Sequence, residues 1–142
     1  MSFLAFVQKD WNGMLFLTLI VSGVLLVWPL LSRRLSGGRD IGTLGVTQLM
    51  NSKNPVLLDL RETKEIAGAK LPNAVQIPFS QLKTRGGELA KLTARPLVAY
   101  CDRGQRARSA SSLLAKLGFQ DVYFLQGGFR AWKDAGLPVQ KV

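Results

Sequence analysis

An uncharged segment near the amino terminus constrains this chain more than any other feature. No residue from Trp11 to Ser32 carries a charge, and Met14–Leu31 is apolar apart from two hydroxyl residues. About 20 helical residues span the ~30 Å hydrocarbon core of a bilayer, and the rest of the chain is too short to bury such a helix. Residues 14–31 are therefore predicted to form a transmembrane helix, preceded by a short tail of residues 1–13.

The charges on either side of this segment predict its orientation. Arg33 and Arg34 follow it directly, whereas Lys9 before it is offset by Asp10. The positive-inside rule then places the chain in the cell membrane with everything after the helix in the cytoplasm. A cleaved signal peptide is the alternative, but it requires positive charge before the apolar run and small residues at a cleavage site after it.

The remaining sequence indicates one basic linker and one domain. Residues 32–40 contain a Gly-Gly hinge and three arginines. The mixture of apolar and polar residues is uniform over residues 41–142, as expected of one domain. The net charge of +10 is spread along the chain without a nucleic-acid-binding motif. Anionic lipid headgroups are therefore the expected electrostatic partner, and no nucleic acid is expected.

Composition excludes several kinds of catalytic chemistry. The chain has no histidine and a single cysteine, Cys101. Catalytic triads and dyads that need histidine, imidazole metal sites and internal disulfides are therefore excluded. The nine acidic residues are scattered singly, so no metal or other cofactor is predicted. The remaining possibilities use a lone thiol, arginines and backbone amides.

Short apolar runs alternate with segments of helical spacing after the linker. The predicted strands are Val56–Leu60, Ala74–Ile77, Leu97–Tyr100 and Val122–Leu125. The predicted helices are Thr43–Met50, Glu62–Ala67, Glu88–Leu92, Arg106–Leu117 and a last one that follows Gly127-Gly128. The two glycines predict a positive-φ turn before that last helix. This alternation predicts an α/β fold in which helices flank a parallel sheet.

Cys101 directly follows a predicted strand, and functional groups gather at the carboxyl ends of parallel strands. The loop continues through Asp102, Arg103, Gly104, Gln105 and Arg106. The glycine permits a tight turn whose N–H groups surround an anion, and the arginines add positive charge. Such surroundings favour the nucleophilic thiolate. Cys101 is therefore the predicted catalytic residue and the five that follow form the substrate-binding loop; a buried, inert thiol is the alternative.

Three motifs resemble those of the rhodanese (sulfurtransferase) family. They are Cys-x-x-Gly-x-Arg from Cys101, Asp-x-Arg from Asp59, and Gly-Gly-x-x-x-Trp from Gly127, in the order in which the family has them. With its apolar amino-terminal segment, the chain is similar to membrane-anchored single-domain rhodaneses. The resemblance implies a rhodanese-like fold, a persulfide intermediate on Cys101, and Asp59 and Arg61 as residues that support the loop.

Some positions leave the arrangement of the loop open. Lys70 stands where the family often has histidine. Asp102 would repel an anionic donor if its side chain pointed inward, so we expect it to face outward or to pair with Arg103 or Arg106. Arg106 is expected either near the bound anion or bound to Asp59.

Three function classes compete. The resemblance implies a sulfurtransferase that moves sulfane sulfur from a small donor, such as thiosulfate or a persulfide, to a thiol or cyanide-like acceptor, including a protein thiol. A phosphatase or arsenate reductase on the same fold would need arginine six residues after the cysteine, where this chain has Ala107. A non-catalytic membrane-bound interaction module is the third class, although such modules arise when the cysteine is lost.

Overall fold

The computed structural model describes residues 2–7, 12–35 and 37–142, so Lys9, Asp10 and Trp11 lie outside the described residues. The described chain forms two compact units, one within residues 1–36 and one at Gly37–Val142.

The first unit consists of two helices, α1 (Phe3–Val7) and α2 (Asn12–Leu35). The ring of Phe16 packs edge-on against those of Phe3 and Phe6, with centroids 5.9 and 6.1 Å apart. The stretch Asn12–Leu31 is long and apolar enough to cross a membrane, and none of its apolar window is buried. By length and composition, it suits either a membrane span or an amino-terminal signal sequence.

The second unit is built on a five-stranded sheet in which every neighbouring pair is parallel. Its strands are β1 (Arg39–Ile41), β2 (Val56–Asp59), β4 (Val75–Gln76), β5 (Leu97–Tyr100) and β6 (Val122–Leu125), in the spatial order β1-β6-β5-β2-β4. Two further strands, β3 (Ala69–Lys70) and β7 (Gln140–Lys141), form a small antiparallel pair. The predicted fold, a parallel sheet flanked by helices, is confirmed.

Helices cover both faces of the sheet. They are α3 (Thr43–Lys53), α4 (Leu82–Arg85), α5 (Gln105–Ser109), α6 (Ser111–Lys116) and α7 (Gly128–Asp134). Short 3-10 helices lie at Thr63–Glu65, Phe79–Gln81 and Gly86–Leu92. The predicted helix 106–117 is divided at Ala110, whose N–H bonds to the carbonyl of Ala107 three residues back.

The central strand β5 shows how two cores arise from one sheet. Leu97 and Ala99 point into a cluster that contains residues of α5 and α6. Val98 and Tyr100 point into the opposite cluster, which contains residues of α3 and α7. All four side chains are fully buried. A strand covered on both faces is therefore apolar at every position instead of alternating with polar residues.

The strand β1 was not predicted, and it begins inside the segment interpreted as a linker. Arg39 and Asp40 are exposed and charged, so nothing in the sequence marks them as part of a strand. The pairing of Arg39 with Tyr123 of β6 places them in the sheet. The guanidinium of Arg39 also lies 5.4 Å from the centre of the Tyr123 ring, a cation–π contact.

Candidate active site

Cys101 lies immediately beyond the carboxyl end of β5, the central strand. Its side chain is 2% exposed and belongs to the same buried cluster as Ala99 and Ala107. The N–H of Leu60 bonds to the carbonyl of Tyr100 at 2.9 Å, which extends the pairing of β2 with β5. The Asp59–Arg61 segment and Cys101 therefore leave the sheet at the same edge.

The turn after Cys101 directs a backbone amide at the sulfur. Gly104 has φ +100°, and its N–H donates a hydrogen bond to Cys101 Sγ at 3.0 Å. A Cβ at this position would lie 3.3 Å from the carbonyl oxygen of Leu125, so both conformation and space favour glycine. A hydrogen bond donated to sulfur stabilises negative charge there, which suits a nucleophile. The turn is shorter than predicted, because α5 begins at Gln105.

The beginning of α7 holds this turn in place. The N–H of Phe129 donates to the carbonyl of Cys101 at 2.8 Å, and that of Arg130 donates to the carbonyl of Asp102 at 3.2 Å. Gly127 and Gly128 have φ +74° and +63°, as their motif predicts. A Cβ on Gly128 would lie 2.4 Å from the carbonyl oxygen of Cys101, so only glycine permits this close approach.

Asp102 pairs with a residue that the sequence interpretation did not consider. Its Oδ2 accepts a hydrogen bond from Arg130 Nε at 3.0 Å, and its side chain is 28% exposed. The expected partners, Arg103 and Arg106, are not the ones it contacts. Arg130 is 28 residues away and reaches Asp102 only because the end of β5 and the start of α7 are adjacent.

Arg106 binds Glu65 rather than Asp59. Arg106 Nη2 and Glu65 Oε2 are 2.5 Å apart, and about a third of each side chain is exposed. The hydrogen bond from Arg106 lowers the pKa of Glu65, and the same bond raises the pKa of Arg106. Glu65 also accepts a hydrogen bond from the N–H of Glu62 in a capping box around the 3-10 helix. The link therefore ties α5 to the segment that follows β2.

The other polar residues of the predicted loop face solvent. Arg103 and Gln105 are exposed, and the Arg103 side chain makes no hydrogen bond or ion pair with any residue that the structure describes. Arg108 points away from the turn and binds Asp40 of β1 at 3.0 Å. Arg103 therefore contributes the one uncompensated charge among the described residues 101–106.

Asp59 and Arg61 form an ion pair that is almost completely buried, with side chains 0% and 1% exposed. Arg61 Nη2 lies 2.8 Å from Asp59 Oδ2, and Arg61 Nε lies 3.1 Å from both carboxylate oxygens. The guanidinium also donates to the carbonyl of Ala69 at 2.7 Å and lies 4.0 Å from the centre of the Phe129 ring. Burial opposes the charge on Arg61, but the hydrogen bonds and charge of Asp59 outweigh it and raise the pKa of Arg61.

Tyr100 connects this ion pair to the strand that precedes Cys101. Its hydroxyl donates to Asp59 Oδ2 at 3.0 Å and accepts from the N–H of Leu71 at 3.1 Å. Burial, together with the neighbouring carboxylate of Asp59, raises the pKa of Tyr100 far above its ordinary value. The hydroxyl therefore stays protonated and serves as a donor at any physiological pH.

Sequence reasoning missed Tyr100, Glu65 and Arg130 as contributors to the site. Tyr100 had a signal, since it directly precedes the cysteine and carries a polar group into a buried strand. Glu65 had a weak signal, because it lies three residues after Glu62, the spacing of a capping box. Arg130 had none. Lys70, in the position where histidine was expected, binds the carbonyl of Ala74 at 3.1 Å through Nζ.

The arrangement places a buried thiol beside a backbone amide that donates to its sulfur, and the chain has no histidine to serve as a base. Among residues 2–7, 12–35 and 37–142, no three histidine, cysteine or acidic side chains cluster in a way that could hold a metal ion. The chemistry that this geometry favours is nucleophilic attack by the Cys101 thiolate.

Comparison with known families identifies the family of this domain. A family model described as the rhodanese-like domain matches residues 45–135, which include all three sequence motifs. The chain belongs to the rhodanese-like family. That membership agrees with the observed parallel sheet flanked by helices.

Three curated relatives illustrate the range of this rhodanese-like family. A sulfurtransferase of Allochromatium vinosum is 35% identical over 92 residues, covering 65% of this chain and 84% of that protein. The uncharacterized protein YqhL of Bacillus subtilis is 40% identical over 76 residues, covering 54% of this chain but only 59% of that protein. The thiosulfate sulfurtransferase GlpE of Coxiella burnetii is 27% identical over 95 residues, covering 67% and 87%.

Solved structures agree with the rhodanese-like fold. A rhodanese-related protein from Thermoplasma volcanium superimposes with a TM-score of 0.63 at 26% identity, covering 72% of this chain and 97% of that one. A thiosulfate sulfurtransferase from Pseudomonas aeruginosa gives a TM-score of 0.64 at 28% identity, with 72% of this chain matching 19% of that one. Together with the sulfurtransferase-named relatives, these similarities support the general class of sulfurtransferases for this rhodanese-like protein.

Proposed function

We propose that this protein is a sulfurtransferase that carries sulfane sulfur on Cys101, with thiosulfate or a persulfide as donor. The observation that carries the proposal is the 3.0 Å hydrogen bond from Gly104 N–H to Cys101 Sγ at the end of the central strand. The names of the Allochromatium and Coxiella relatives support the same class of reaction. The acceptor is a thiol, such as a protein thiol, or cyanide.

The reaction consists of two displacements at sulfur. The Cys101 thiolate attacks the outer sulfur of thiosulfate, a new S–S bond forms, and the original S–S bond breaks as sulfite leaves with the bonding electron pair. The acceptor thiolate then attacks the terminal sulfur of the Cys101 persulfide, and Cys101 leaves as the thiolate. No external oxidant or reductant is consumed, and the kinetics should be ping-pong.

The two other function classes receive less support from the site. A phosphatase-like loop needs arginine six residues after the cysteine, but that position is Ala107, which is buried in the core. A non-catalytic module has no need for an amide directed at a cysteine sulfur. The Gly104 contact therefore disfavours the non-catalytic module, and Ala107 disfavours the phosphatase-like loop.

Intact mass spectrometry of the full chain in detergent tests the proposal. Incubation with thiosulfate should add one sulfur, about 32 Da, and cyanide or dithiothreitol should remove it. Cys101→Ser is the matched control and should gain no mass. The proposal is wrong if wild type acquires only oxygen adducts, or if the added sulfur persists in Cys101→Ser.

We further propose that α2 spans the cell membrane and leaves the rhodanese-like unit in the cytoplasm. The apolar stretch Asn12–Leu31 and the arginines after it support this topology.

A labelling test of this topology needs an exposed thiol, because Cys101 is buried. Val142 is 68% exposed and offers a position for one. In right-side-out vesicles, Cys101→Ser/Val142→Cys should react with a membrane-impermeant maleimide only after lysis. Labelling before lysis would overturn the orientation, and release by alkaline carbonate or a mass lacking the apolar segment would overturn the anchor.

A further inference from the structure

The residue next to the nucleophile has the wrong charge for an anionic donor. Asp102 directly follows Cys101, and an unpaired carboxylate there would repel thiosulfate or a persulfide anion. Of the other acidic groups near the site, Glu65 is paired with Arg106 and Asp59 with Arg61, and Glu62 accepts hydrogen bonds from the N–H and hydroxyl of Ser80. The electrostatic potential at Cys101 therefore depends on whether the charge of Asp102 is compensated.

Arg130 holds Asp102 at two points. Its N–H donates to the carbonyl of Asp102 at 3.2 Å, and its Nε donates to Asp102 Oδ2 at 3.0 Å. Arg130 is the only residue in the described part of the chain that forms an ion pair with this carboxylate. With Asp102 compensated, the exposed Arg103 leaves a net positive charge at the turn.

We propose that Arg130 determines donor specificity, because it cancels the charge of Asp102 and so lets anionic sulfur compounds approach Cys101. The proposal deepens the proposed sulfurtransferase function and rests on it. Arg130 acts through Asp102 and need not touch the donor. It therefore differs from a residue that binds substrate directly, and its effect should disappear when Asp102 is made neutral.

Alkylation of Cys101 reports on the electrostatic potential at the thiolate and does not require catalytic turnover. Iodoacetate is an anion and iodoacetamide is a neutral reagent of nearly the same size, and both react with the same thiolate. The ratio of their rates therefore cancels changes in thiolate fraction and in access to the buried sulfur. Arg130→Gln should lower the iodoacetate-to-iodoacetamide ratio by about 3-fold to 5-fold at low ionic strength, and added salt should weaken the effect.

Two further variants separate charge compensation from support of the loop. The double variant Asp102→Asn/Arg130→Gln should restore the ratio to the wild-type value or above. Arg108→Gln is the matched control, because it removes the same charge from an exposed arginine that binds Asp40 away from the turn. It should leave the ratio unchanged.

Kinetics with thiosulfate should follow the alkylation ratio. Arg130→Gln should raise KM for thiosulfate by about 10-fold to 25-fold with little change in kcat, because thiosulfate carries two negative charges where iodoacetate carries one, and the double variant should reverse this. An unchanged ratio in Arg130→Gln, or a ratio that the double variant does not restore, would overturn the proposal. If wild type forms no persulfide while the ratio still responds as expected, the sulfurtransferase function fails and donor specificity with it, and only the compensation of Asp102 by Arg130 stands.

Discussion

The Cys101 turn is supported by ion pairs of two kinds. On the inner side, Asp59 and Arg61 are 0% and 1% exposed and bind each other through several hydrogen bonds. On the outer side, the pairs Glu65–Arg106 and Asp102–Arg130 are partly open to solvent. Water screens the outer pairs, whereas each inner charge depends on its partner. The inner pair should therefore determine whether the site folds, and the outer pairs should tune how it works.

The largest expected effect is that of Asp59→Asn. It leaves the guanidinium of Arg61 buried without a counter-charge, which should lower the free energy of unfolding by about 3–5 kcal/mol. Chemical denaturation of the full chain in detergent measures it. Asp40→Asn, which removes the partner of the exposed Arg108, is the control and should cost under about 1 kcal/mol. Equal losses in the two variants would show that burial does not make the inner pair more important for stability than an exposed pair.

An intermediate effect is expected for Tyr100→Phe. The variant keeps the buried ring but removes the hydroxyl that donates to Asp59. It also leaves the N–H of Leu71 without its acceptor. A buried polar group left unsatisfied costs about 1–3 kcal/mol, and the same denaturation experiment should show a loss in that range. Tyr123→Phe, at a half-buried ring in β6, is the control and should change stability little. A loss no larger than the control's would show that the hydroxyl does not support the inner pair.

The smallest effect, and the one that depends on pH, is that of Glu65→Gln. Because Arg106 lowers the pKa of Glu65 below its ordinary value of 4.5, the ion pair stabilises the fold above that value. This contribution is lost as the pH falls through the lowered pKa of the folded state. At pH 7 the variant should lose about 0.5–1 kcal/mol. Unfolding curves of both proteins should converge in acid, and a difference that persists there contradicts the assignment.

Local sequence was enough to predict most of the sheet. The strands β2, β4, β5 and β6 were predicted as short apolar runs, and the turn at Gly127-Gly128 as a positive-φ turn. The strand β1 was missed because a pair of charged residues becomes a strand only by bonding to β6. The pair of β3 with β7 was missed for the same reason, since Ala69 meets Lys141 across some 70 residues of chain.

The sequence by itself determined the apolar amino-terminal segment, the parallel α/β order, and a lone cysteine at a strand end beside a glycine. These features are local, because periodicity, strand burial and positive φ depend on a few adjacent residues. Only the tertiary structure decided which charges meet. Arg106 binds Glu65 and Asp102 binds Arg130 because separate elements end at the same edge of the sheet. Ion pairing acts over a few ångströms in space, whatever the separation along the chain.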